Sequence, residues 1–117
     1  MELSEFYKRL RAELQANGLK VLFRQPQPTD ALPLVHINVH TDLDVSAKTG
    51  TLNQVMQQVD YYNEGSAAPV KVEADINKVR NAMAKVVRWD NLTTQTTSDL
   101  SSGRELKRAM FLLTITI

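Results

Sequence analysis

The residues with the most chemistry in them are His36, His40, Asp42 and Asp44, spaced two or four apart in LVHINVHTDLD. Imidazole and carboxylate are metal ligands, and in an uninterrupted strand all four even-numbered side chains would project from one face. Residues four apart on a strand lie roughly 13 Å from each other, too far to share one ion. Only His40 with Asp42, or Asp42 with Asp44, could then do so without a sharp bend. A solvated sheet face is the simpler reading, so no metal site is assigned.

Other chemistries find less support. Nucleophilic catalysis needs a Ser or Thr beside an activating base, and the chain has two histidines and no G-x-S-x-G elbow. Glu73 with Asp75, or Asp42 with Asp44, pair acids that a solvated surface explains as well as acid–base work does. Four scattered glycines form no phosphate loop. Lys78, Arg80, Lys85 and Arg88 could touch nucleic acid, but Asp75 lies among them, so an exposed helix face accounts for them. Phe6, Tyr7, Phe23, Tyr61, Tyr62, Trp89 and Phe111 are scattered as core residues would be, without a base-stacking platform. The expectation is a protein with no catalytic residues and no cofactor.

Bulk properties agree. The 117 residues suit a single domain, 1–117, and 14 basic against 13 acidic side chains leave no basic excess for nucleic acid or a membrane surface. The chain has no cysteine, which removes disulfides and thiolate chemistry and fits a reducing compartment. No apolar run approaches the roughly 20 residues of a membrane span, and MELSEFYKRL lacks the order of a signal peptide. A cytosolic protein, or one carried in an assembled particle, is expected.

The elements that must position these residues follow from periodicity. Leu3, Phe6, Tyr7, Leu10 and Leu14 line one face of a first helix that stops near Asn17-Gly18. Leu19 to Arg24 alternates as a half-buried strand, and Gln25 to Leu32 is a proline-stiffened loop. Leu34 to His40 is a strand with Val35, Ile37 and Val39 on one face and His36, Asn38 and His40 on the other. Thr41 to Thr51 reads as an exposed, mobile excursion with a tip at Lys48-Thr49-Gly50.

Thr51 to Asn63 is ambiguous: Leu52, Val55, Met56 and Val59 fit a helix, while Val55, Val59, Tyr61 and Tyr62 also suit a strand. Val72, Ile76, Val79, Met83 and Val86 mark a second helix from about Val70 to Arg88. After a turn at Trp89-Asp90-Asn91, Leu92 to Ser98 is a threonine-rich strand. A Ser- and Gly-containing connection leads to a last strand, Leu106 to Ile117, with Ala109, Phe111, Leu113, Ile115 and Ile117 on its apolar face.

What remains is surface for association. Thr41 to Thr51 is long for a hairpin connection, and Leu92 to Ser98 could be a sheet edge offering unpaired amides and carbonyls to a neighbour.

In this order of elements the chain resembles the tail-completion or tail-terminator proteins that join head to tail in long-tailed bacteriophages. The resemblance is carried by the first helix, PQPTDALPLVHINV, the polar excursion, TLNQVMQQVDYYN, VEADINKVRNAMAKV and SSGRELKRAMFLLTITI. It implies that 51–63 is a strand. The fold would be α+β, in the order α-β-β-β-α-β-β, with two helices packed on one face of a mainly antiparallel sheet of about five strands.

The resemblance further implies a non-enzymatic virion protein, assembled in the host cytoplasm and sited at the head-proximal end of the tail. Its partners would be copies of itself in a ring, six by analogy, together with the tail tube protein and a head-closure or connector protein. Carried over by position, the interface residues would be Thr41, Asp42, Leu43, Asp44, Val45, Lys48, Thr49, Thr94 and Thr96. The competing readings are a standalone bacterial α+β binding or regulatory domain and, more distantly, a metal-dependent hydrolase centred on His36, His40 and Asp42.

Overall fold

A computed structural model describes residues 1–47, 50–101 and 103–117, with 43–47 and 50–52 as backbone. The order is α1 (Leu3–Ala16), β1 (Lys20–Leu22), β2 (Leu34–Ala47), β3 (Gly50–Glu64), α2 (Pro69–Val86), β4 (Asn91–Asp99) and β5 (Leu106–Thr116). The strands form one sheet in the order β1-β2-β3-β5-β4, antiparallel except for the β1–β2 pair. This is the expected α+β fold, and 51–63 is strand.

Both helices lie on one face of the sheet. Phe6, Leu10 and Leu14 of α1 and Val72, Ile76, Val79, Ala82 and Met83 of α2 pack against Val35, Ile37, Val55, Val59, Tyr61, Ala109, Phe111, Leu113 and Ile115. Burial of these apolar stripes holds the two layers together. α1 ends at Asn17, whose side chain and backbone amide both donate to Glu13 O, and Gly18 leaves the helix at φ +79. α2 begins on Pro69, where a missing amide costs nothing.

On the opposite face, Leu22 and Leu32 pack on Leu34, Tyr62 and Leu106, so the 23–33 loop covers one end of the sheet. Asp30 shapes that loop by accepting both Arg24 Nη1 and Nη2 at 2.9 Å and the Gln27 amide at 2.7 Å. The paired Arg24, aided by the Gln27 amide, holds the Asp30 carboxyl well below the usual carboxylate range. β1 is shorter than Leu19 to Arg24 because Phe23 and Arg24 turn out into this loop, leaving Phe23 exposed rather than in the core.

Two expectations fail at β2. Thr41 to Thr51 is not an excursion: β2 continues to Ala47 and β3 starts at Gly50, in register from His40↔Gln57 to Ala47↔Gly50. Lys48 and Thr49 lie outside the described residues. The last residue that β5 pairs is Gln54, and Ile117 N just after β5 still donates to Asn53 O at 2.9 Å, so Gly50–Leu52 and the β2 backbone opposite extend beyond the sheet body as a two-stranded ribbon. The molecule is accordingly long, 52 × 27 × 22 Å. Its radius of gyration is 15.0 Å, against roughly 13 Å for a compact chain of this length.

The second failure is the face assignment. Ile37 pairs with Val59 and His40 with Gln57, so β2 carries one extra residue, a β-bulge at Asn38-Val39. Val39 is 68% exposed rather than in line with Val35 and Ile37. His40, Thr41 and Asp42, after the bulge, accordingly lie on the faces opposite to those that an unbroken alternation would give them.

Candidate assembly surface

The bulge separates the residues that invited a metal-site reading. His36 pairs across to Asp60 on the face away from the helices, whereas His40 sits opposite Gln57 on the helix side, its ring 6.5 Å from that of Tyr7 in α1. The two histidines therefore lie on opposite faces of the sheet. His40 Nδ1 lies 2.8 Å from Asp42 Oδ1, the i,i+2 pairing that strand spacing allows, and the Asp42 side chain is 68% exposed. Asp44 is level with Asn53 at the end of the sheet body, its side chain outside the described residues. Glu73 is exposed and Asp75 buried, so that acid pair does not share a site.

The bulge is held by side chains. Asn38 Oδ1 accepts the Val39 amide at 2.8 Å, and Gln57 Nε2 donates to Asn38 O at 2.8 Å and to Val39 O at 3.3 Å. Gln57, fully buried, in turn accepts from Tyr7 Oη at 2.8 Å. Carbonyls freed from the ladder by the extra residue thus find partners without water.

Sequence reasoning missed a polar cluster on the helix-free face. Asp60, fully buried on β3, accepts from Asn38 Nδ2 at 2.8 Å and lies 3.1 Å from Arg108 Nη2. Arg108 of β5 also donates Nη1 to Asp99 of β4 at 3.1 Å and lies over the Tyr62 ring at 5.4 Å. One guanidinium therefore ties three adjacent strands. Burial pushes the Tyr62 hydroxyl up to about 12. Burial likewise lowers the His36 pKa, with Arg108 adding to it and Asp60 opposing it. His36 Nδ1 meets no partner among the described residues. The signal in the sequence was Arg108, which with Lys107 precedes an uncharged run from Ala109 to Ile117 on the same strand.

A second tie joins β3 to α2. Tyr61 Oη donates to Asp75 Oδ2 at 2.6 Å, and Lys71 Nζ reaches Asp75 Oδ1 at 2.9 Å. Burial and the Asp75 carboxylate raise the Tyr61 pKa. The carboxylates of both clusters, Asp60, Asp99 and Asp75, are each bonded within their own cluster, and of these side chains His36 alone keeps a ring nitrogen without a partner among the described residues. A depression of about 460 Å³ along Ala84–Trp89 gathers Arg88 and Lys85, the latter 3.9 Å from Glu13 Oε2 of α1.

The sheet edges are the open features. β4 is the outermost strand, and Thr93 to Ser98 are all exposed; Thr94 and Thr96 sit opposite Phe111 and Ala109 on the helix side. At the other margin, β1 covers only Leu34–His36 of β2. Beyond the bulge, His40–Ala47 has no strand on its outer side among the described residues. Thr41 and Asp42 belong to that stretch and are exposed, and the backbone of Leu43, Asp44 and Val45 continues it.

No family model matches this sequence, and no curated protein matches it. Among solved structures, the chain is similar to one in the virion of a native gene transfer agent particle, with a TM-score of 0.60. The two share 15% identity, and the match covers 95% of this chain and 90% of that one. The likeness shows a common fold along nearly the whole chain.

Proposed function

We propose that this chain is a structural subunit of a phage-like virion, acting as a tail terminator: a ring, six copies by analogy, at the head-proximal end of the tail tube. There it stops tube growth and joins tail to head, recognising the tube protein on one ring face and a head-closure or connector protein on the other. The observation that carries this reading is the end-to-end fold match to a chain of a gene transfer agent virion. It agrees with the element order that suggested the tail-terminator family.

The surface supports association more than chemistry. Its buried acids among the described residues, Asp60, Asp99 and Asp75, are bonded by Arg108, Ser101, Lys71 and Tyr61. Its backbone edges at β2 and β4 are left unpaired among the described residues. Recognition by shape and by main-chain pairing needs no catalytic group.

The test is electron microscopy of polymerising tail tube protein with and without the purified chain. Capping of one tube end, with shorter tubes as the chain is added, is the expected result. Tubes of unchanged length with bare ends would remove the terminator role.

A further inference from the structure

We infer that the outer edge of β4 in one copy pairs antiparallel with the free edge of β2, His40–Ala47, in the next, with Asp42 close to Thr96. This rests on the ring reading and specifies its contact.

The first ground is the state of β4. Long exposed edges are normally guarded by Lys, Pro, a bulge or a covering element. Asn91–Ser98 contains no charged residue and no proline, and its register with β5 runs unbroken from Asn91↔Thr114 to Asp99↔Leu106. Such an edge is a template for another strand. The second ground is a matching acceptor: eight residues of β2 against nine of β4, regular against β3 throughout.

Polarity fits as well. Between the two edges stand β2, β3, β5 and β4, each antiparallel to the last, so β4 runs opposite to β2. A neighbour added by rotation alone, the operation that builds a closed ring, therefore meets β2 as an antiparallel partner. β1 occupies the lower part of that edge and the bulge lies just above it, which leaves the neighbour only the upper segment.

That restriction sets a stagger. Gln95, the centre of β4, is level with Asp60 through Met110, while Leu43 near the centre of the free edge is level with Gln54, six residues along β3. Pairing Gln95 with Leu43 shifts each copy by roughly 20 Å along the strands over a width of four strands, roughly 19 Å. The strands then tilt by roughly 45°, at the steep end of what closed β-structures use. This register puts Asp42 opposite Thr96 on the helix side and Thr41 opposite Thr97 on the other face, hydroxyl facing carboxylate in the first pair.

The absence of native cysteine makes the test clean. Paired antiparallel Cα atoms sit about 4.5–5.5 Å apart, within disulfide range. On mild oxidation the double variant Asp42→Cys/Thr96→Cys should give a reducible ladder of covalent multimers, and each single variant should not. Thr41→Cys/Thr97→Cys, on the opposite face, provides a second pair should the first not fold. Cross-linking of Asp42→Cys with Thr94→Cys instead would keep the pairing with a shift of two residues. A covalent dimer from Thr96→Cys alone would mean that β4 pairs with β4, overturning the inference. Oligomers in sedimentation with neither pair cross-linking would overturn it and leave the ring standing. A monomer at every concentration, with no cross-link, would overturn both.

Discussion

Asp60 lies on the sheet face opposite the helices, yet it is fully buried, and Arg108 is its ion-pair partner among the described residues. Breaking such a pair from one side leaves a charge in a low-dielectric site, a larger loss than the pair itself contributes. Arg108→Met should therefore lower stability by roughly 3–5 kcal/mol in urea unfolding, and adding Asp60→Asn should recover part of that.

His36 gives a pH signature from the same cluster. Its folded pKa lies below the ordinary 6.5 because burial disfavours the cation, with Arg108 on β5 adding repulsion and Asp60 on β3 attracting. The unfolded chain takes up the proton first, so stability is full above about pH 7 and falls as pH drops through 6.5 towards the folded pKa. Denaturation midpoints between pH 7.5 and 5 should fall in the parent and much less in His36→Gln. Asp99, lowered by Ser101 and Arg108, adds its loss only below about 4. Equal slopes for parent and variant would remove His36 as the cause.

At the scale of elements, the β2–β3 ribbon extends past the last residue that β5 pairs. Replacing 44–53 by an Asn-Gly turn, the usual two-residue hairpin connection, removes ladder without touching the helix-packed core. The shortened chain should keep its unfolding midpoint and lose self-association in sedimentation. Loss of both would mean that the ribbon belongs to the folding unit.

The helices and β5 were legible because their apolar residues repeat at the period of the element. β3 was ambiguous for a physical reason: Gln57, a core position on the Val55–Val59–Tyr61 face, is polar because it serves the bulge and Tyr7, and it breaks the alternation. Leu43, Val45 and Ala47 do alternate with Asp42, Asp44 and Ser46, but the polar content of 41–51 masked a strand that leaves the sheet body. The bulge had no signal of its own, since Asn38 serves a strand or a turn equally until its partners Val39 and Asp60 are known. For that reason the two histidines seemed to share a face. Thr94 and Thr96 fell where expected, at an exposed edge.

The whole molecule is an elongated, nearly neutral slab with helices on one side and, among the described residues, unpaired backbone at both margins of the sheet. A sheet with two different open edges favours head-to-tail contacts over two-fold ones, and head-to-tail contacts close into rings when the rotation permits. Native mass spectrometry of the purified chain at high micromolar concentration tests the central claim most directly. A closed oligomer of fixed size, six copies, is predicted, persisting on dilution as a single species. A strict monomer, or an open-ended series of sizes, would contradict the account of this chain as a ring-forming virion subunit.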